Sequence, residues 1–218
     1  MRFNRCFHLV ISLTLGSIAF SQAVAQSVRR DPVKRDKPAP ARPISFDETI
    51  LRQAIYDTAA SYVGKTERTN HNDAPWISKI NKYNGLPDRA FYCASGFNYC
   101  HRVNGLWIPV RAAGMVSSYF SDSKRIIYRR NRRGNQRSGI APQRMDAVSI
   151  FGSHIEGLAQ DRFDPDAEYV LLLGFNTTGG KGTRGGCYIN RRRVSDIKLI
   201  ANWISPTLQT VMTDHFKQ

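Results

Sequence analysis

Cysteine, proline and glycine are all modest in this chain, with 4, 10 and 16 of them in 218 residues. Those counts exclude a disulfide-dense scaffold and a collagen-like repeat, both of which need far more. Acidic residues are also few, 17 against 32 Lys and Arg, which leaves a formal charge of +15. No internal repeat is visible. No His or Cys spacing suits a metal, since His71 with Asp73 supplies too few ligands, so neither a metal nor a cofactor is expected. What the chain does have is core-forming material. Hydrophobic residues at 41% and aromatics at 11% rule out wholesale disorder, and the length suits one domain with appendages. The excess of positive charge points to an anionic partner and says nothing of the fold.

The first 25 residues have the layout of a secretory signal peptide. Arg2 and Arg5 precede an apolar run from Phe7 to Phe20, and Ala23-Val24-Ala25 offers the small-x-small cleavage pattern. The run is short for a permanent membrane span, so none is expected. Export to the periplasm or the extracellular space removes Cys6 and, with Arg2 and Arg5, takes the formal charge from +15 to +13. It also moves the expected partner to peptidoglycan or another anionic cell-envelope polymer. Residues 26–45 read as a basic, Pro-rich linker. RRDPVKRDKPAPARP carries Pro32, Pro38, Pro40 and Pro43 among six basic residues and has almost nothing to bury. A second basic stretch, Lys124 to Arg144, has no acid in it, and Gly134, Asn135 and Gly139 mark it as largely loop. Such a run favours salt-sensitive attachment to an anionic polymer. With only Tyr128 to stack on a base, specific nucleic-acid binding is not expected.

Residues 46–218 form the expected folded domain. Asp47 or Ser45 caps a helix in which Ile50, Leu51, Ala54, Ile55, Thr58 and Tyr62 recur at helical spacing until Gly64. Helical segments are predicted from Trp76 to Tyr83, Phe91 to Val103 and Val110 to Phe120. After Pro142 the period shortens to that of strands: Asp146 to Phe151, His154 to Ala159, Tyr169 to Phe175, Cys187 to Arg191 and Ile197 to Ile204. Helices first and strands afterward give an α+β domain, with N-terminal helices packed on a C-terminal antiparallel sheet.

Cys93 opens the third helix, where free N–H groups and the positive end of the helix dipole favour a thiolate. A nucleophilic thiol needs a base. His101 lies eight residues along the same helix, roughly 12 Å down its axis, and is out of reach; it reads as a surface or cap residue. His215 is near the carboxyl terminus, and His71 is in a polar loop. His154, at a strand start, is the best partner. Asn176, at the end of the next strand, can lie across from it and orient the imidazole. Glu156 shares the face of His154 and is an auxiliary carboxylate. Cys100 is too far along the helix to pair with Cys93; it either bonds Cys187 or stays buried and free.

These segments carry a resemblance. FYCASGFNYCHRVNGL looks like the nucleophile helix of the CHAP-type cell-wall hydrolases (cysteine, histidine-dependent amidohydrolase/peptidases). APQRMDAVSIFGSHIEGLA resembles the strand that leads into their His strand, and LLLGFNTTGGKGTRGGCYINRRR their third motif, with Asn-Thr before a Gly-rich hairpin. The lead-in YVGKTERTNHNDAPWISKINKYNGLP resembles that of the phage and bacterial peptidoglycan-amidase branch. The resemblance spans roughly Leu51 to Trp203 and implies a papain-like fold. It also implies Cys93 as nucleophile, His154 as base and Asn176 as orienting group. Asn70, Asn72 and Tyr92 are candidate substrate contacts, with Asn70, His71 and Asn72 either lining the cleft near the nucleophile or forming a plain polar loop. Two positions before the Asn, where the family often has an acid, this chain has Gly174. The expected activity is cysteine amidase or endopeptidase cleavage within the peptide part of peptidoglycan. An inhibitory partner that restrains it belongs to that expectation, with nothing in the sequence to identify it. The competing expectation is a non-catalytic, basic envelope-binding module that keeps the fold.

Overall fold

The computed structural model describes residues 47–131, 136–137 and 139–215. The expected signal peptide, linker and Ser45 cap lie outside those residues. Asp47 caps the first helix, α1 (Glu48–Ala60), by accepting from the Thr49 N–H at 2.8 Å. Two more helices follow, α2 (Pro75–Tyr83) and α3 (Cys93–Val103). The strands are β1 (Ile126–Arg129), β2 (Gln136–Arg137), β3 (Ala147–Ile150), β4 (His154–Leu158), β5 (Tyr169–Thr177), β6 (Gly186–Arg193) and β7 (Ile197–Ala201), before a last helix, α4 (Ile204–His215). They build one sheet in the order β2-β1-β7-β3-β4-β5-β6, antiparallel at each pairing. The domain is α+β, as its periodicities require.

Alternation along the strands divides the apolar residues between two cores. On the helix side, Ile55, Ile77, Ile80 and Phe97 pack with Ile155, Leu173 and Phe175. On the other side Val148, Leu158, Leu172 and Ile200 close a second cluster. Helix α3 reaches the sheet through its small residues. A Cβ on Gly96 would strike the ring of Phe175, so the helix lies closer to β5 than any larger residue permits. Gly96→Ala is therefore expected to destabilise the fold by about 1–3 kcal/mol through overpacking, read as a lowered urea midpoint. An unchanged midpoint would show that α3 has room to move.

Three expectations are corrected. The segment from Val110 to Phe120 is not an α-helix; only Val116–Tyr119 forms a short 3-10 turn. Gly114 is pressed against Leu86, and Pro109 precedes the segment. The last strand stops at Ala201. There Asn202 turns the chain, its Oδ1 accepting from the N–H groups of Ile204 (3.0 Å) and Ser205 (3.1 Å) at the start of α4. His101 is fully buried rather than at the surface. Its Nδ1 meets the Phe97 carbonyl oxygen at 2.8 Å, and burial pulls its pKa down to about 4, so the ring is neutral.

The basic stretch is also more structured than a loop. Ile127 and Tyr128 of β1 are buried in the second core. Arg130 donates to the Val194 carbonyl at 2.9 Å, and Arg144 pairs with Asp161 at 3.0 Å and stacks on Tyr56. Its residues 132–135 and 138 lie outside the described residues. Beneath it, buried Arg52 joins Glu48, Asp146 and the Arg144 carbonyl, which ties α1 to the start of β3. Among the described residues no helix is long and apolar enough to cross a membrane.

Candidate active site

The site assembles where α3 begins and β4 begins. Cys93 is the first residue of α3 and is 7% exposed. The turn that carries it is clamped from α2. Asn81, fully buried, donates to the Ala90 carbonyl at 3.0 Å and accepts from the Ser95 hydroxyl at 2.7 Å. Asn84 donates to the Ser95 carbonyl at 2.9 Å and accepts from Asn98 at 2.7 Å. These amides tie the first turn of α3 to the end of α2. Neither was singled out from the sequence, although both belong to the INKYNG segment that leads into the site.

His154 opens β4, where its imidazole feels the nearby Cys93 thiol. Its Nε2 lies 3.2 Å from Oε1 of Glu156, two residues along the same strand and so on the same face. Glu156 is 1% exposed, and Arg192 of β6 grips it with both ends of the guanidinium, Nε to Oε2 at 3.1 Å and Nη2 to Oε1 at 2.6 Å. The same Nη2 donates to Thr177 Oγ1 at 2.8 Å. Burial pushes the Glu156 carboxyl up, but His154 and Arg192 outweigh it and hold the group below the usual carboxylate range. Burial likewise pushes the His154 imidazole down, and the neighbouring Cys93 and Glu156 outweigh that to raise its pKa to about 9. The geometry is that of a thiol next to an imidazole that stays protonated at neutral pH, with a buried carboxylate behind it.

Asn176 is placed differently. The β4–β5 ladder sets Gly157 opposite Leu173 and Leu158 opposite Leu172, and no pairing joins His154 to Asn176. Asn176 itself turns into the left-handed region (φ 53°) at a bulge of the β5–β6 ladder. Its side chain makes no hydrogen bond to the imidazole; that place is taken by Glu156. Gly174 explains how. A Cβ at position 174 would come within 2.5 Å of Glu156 Oε1, so the glycine leaves the space that the carboxylate fills.

A cleft of about 610 Å³ lies beside the segment that leads into α3, and neither Cys93 nor His154 is on its lining. Its walls are the Glu67–Asn72 segment, Arg89 and Phe91 before α3, and the β5–β6 hairpin with Asn176 and Thr177. Asn70 and Asn72 line it. Tyr92 does not: it is fully buried, packs edge-on against Trp76, and donates its hydroxyl to Glu67 Oε1 at 2.9 Å. The alternation of Phe91 and Tyr92 turns the former outward, 76% exposed, and the latter inward.

Cys100 and Cys187 are free and fully buried. Burial pushes both thiols up, Cys187 to about 12 and Cys100 well above its ordinary value. His71 is exposed and bonds within its own loop, to the Thr69 carbonyl at 2.7 Å. Among the described residues no group of three or more His, Cys, Asp or Glu could hold a metal.

The raised pKa of His154 has a consequence for stability. Its folded value of about 9 exceeds the unfolded value of about 6.5, so the stabilisation is complete below pH 6.5 and is lost as pH rises through 9. At most about 3 kcal/mol is involved. Urea midpoints are expected to fall between pH 7 and 9.5, and to fall less in His154→Gln. An identical slope in the two proteins would refute the assignment.

Comparison with protein-family models, with curated proteins and with solved structures finds no match for this chain.

Proposed function

We propose that the protein is an exported cysteine amidohydrolase or endopeptidase of papain-like, CHAP-type fold that cuts amide bonds in the peptide part of peptidoglycan. The observation that carries this reading is the row Cys93–His154–Glu156, with the thiol at a helix N-terminus and the carboxylate buried and pinned by Arg192. The thiolate of Cys93 adds to the amide carbonyl carbon, and the oxyanion is met by N–H groups of the first turn of α3. The His154 imidazolium gives its proton to the departing amine as the C–N bond breaks, leaving a thioester. Neutral His154 then takes a proton from water, the hydroxide displaces the thiolate, and the acid is released with the imidazolium restored. Glu156 holds the ring through Nε2, which leaves Nδ1 for the sulfur, and it stabilises the positive charge in each half-reaction. Asn176 belongs on this reading to the substrate cleft. The basic stretch adds electrostatic attachment to the wall.

Purified sacculi digested with the protein test the reading. New amino termini on released stem peptides or cross-bridges, or free lactyl carboxyls on the glycan, support it and name the bond. New reducing sugar ends without new amino groups would sink it. Binding to sacculi with no fragments released would favour the non-catalytic envelope binder.

A further inference from the structure

We infer that Arg89 is a specificity residue that reads a free carboxylate on the substrate peptide; this rests on the hydrolase reading above. Among the described residues, four of the six non-glycine residues with positive φ, Asn70 (63°), Asn72 (55°), Arg89 (62°) and Asn176 (53°), stand on the walls of this cleft. Asn tolerates that conformation because its short amide can bond locally; an arginine has no such compensation and is held there at a cost. Here the holding groups are visible. Asn72 Nδ2 donates to the Arg89 carbonyl at 3.0 Å, and the Asn72 N–H is anchored on Glu67 Oε2 at 3.0 Å. The strained turn fixes where the Arg89 side chain enters the cleft, four residues before Cys93.

The guanidinium itself makes no hydrogen bond or ion pair with any described residue. Other charges nearby are engaged. The Glu67 oxygens accept from Tyr92 and Asn72, Arg68 approaches Asp73 at 3.5 Å, and Arg184 donates to the Arg68 carbonyl at 2.9 Å. Arg89 is thus the one unengaged permanent cation on the lining, and a planar fork of donors matches a carboxylate. Asn70 adds an amide whose Oδ1 is used by the Gly185 N–H at 2.9 Å, so its NH2 is left for a ligand acceptor. The ligand chemistry is an acidic peptide with a carboxylate close to the scissile amide. Peptidoglycan stem peptides carry such carboxylates free in some walls and amidated in others, so Arg89 would make the protein choose between them.

Calorimetric titration of a synthetic stem tetrapeptide, with its branch carboxylate free or converted to the amide, into the full chain carrying Cys93→Ala tests this without turnover. The free acid is expected to bind about tenfold more tightly than the amide. Adding Arg89→Asn or Arg89→Gly, both of which accept the positive φ and spare the fold, should abolish that preference. Arg89→Lys should keep part of it. Equal binding of the two peptides, the same preference in Arg89→Asn, or no binding of either would overturn the assignment. Sacculus digestion by the protein with Cys93 intact, run in parallel, separates those outcomes from failure of the hydrolase reading, because it does not depend on the carboxylate preference.

Discussion

Cys93→Ser is expected to reduce fragment release from sacculi by about a thousandfold or more, close to 4 kcal/mol of transition-state stabilisation, while leaving the fold and sacculus binding intact. The size of the loss follows from the state of the partner. An imidazole with a pKa of about 9 is protonated at neutral pH, so it is built to donate a proton to a leaving amine and not to take one from a hydroxyl. A thiol can give up its proton into such a pair; an alcohol cannot. Serine in place of Cys93 would meet an imidazole that Glu156 still biases toward its protonated form, a poor base for an alcohol. Alkylation supplies an independent readout. Cys100 and Cys187 are fully buried with their thiols pushed up, whereas Cys93 sits at a helix start beside a cation. Iodoacetamide should therefore modify Cys93 ahead of the other two and stop fragment release in step. Full activity after quantitative labelling of Cys93, or in the Ser variant, would remove it from the mechanism.

The parts of this arrangement that were legible in the sequence are those set by local pattern. Helical spacing behind the Asp47 cap located α1, although the helix closes at Ala60, short of the expected Gly64, and two-residue alternation placed Glu156 on the face of His154. The parts that were not legible depend on reach across elements. Strand order alone suggested Asn176 opposite His154, but the β4–β5 pairing reaches only Gly157 and Leu158. Which side chain meets the ring is decided by the bulge at Asn176 and by Gly174, whose missing Cβ opens room for a carboxylate from the adjacent strand. Arg192 was hidden for the same reason, as one of three consecutive arginines in β6 of which only this one turns toward Glu156. The start of α4 was concealed by the apolar run that enters it, although Asn202 followed by Ser205-Pro206 is a readable cap. The bonds of Asn81 and Asn84 to the turn that bears Cys93 appear only when α2 and α3 meet.

Glu156→Gln is expected to cost about a hundredfold in rate and to move the alkaline limb of activity down by at least one unit from about pH 9. Gln keeps the volume but removes the negative charge that holds the imidazolium, and the burial of His154 is then left to push its pKa down. It also strands Arg192 without its anion, so the urea midpoint should fall. A structural role alone would lower the midpoint and leave the pH limb in place, which is the outcome that would refute a role at the imidazole. The glycine opposite allows a sharper experiment. Since a Cβ at 174 meets Glu156 at 2.5 Å, Gly174→Glu alone should clash and lose both stability and rate. Combined with Glu156→Gly, the same substitution returns a carboxylate to the space beside His154 from the neighbouring strand. The double variant should exceed each single one in rate, with a coupling energy of about 1–3 kcal/mol. Such a rescue would show that the chemistry requires a carboxylate at that point in space and is indifferent to which strand supplies it. Additive losses would mean that the β4 backbone at Glu156, and not only its charge, sets the angle of the imidazole.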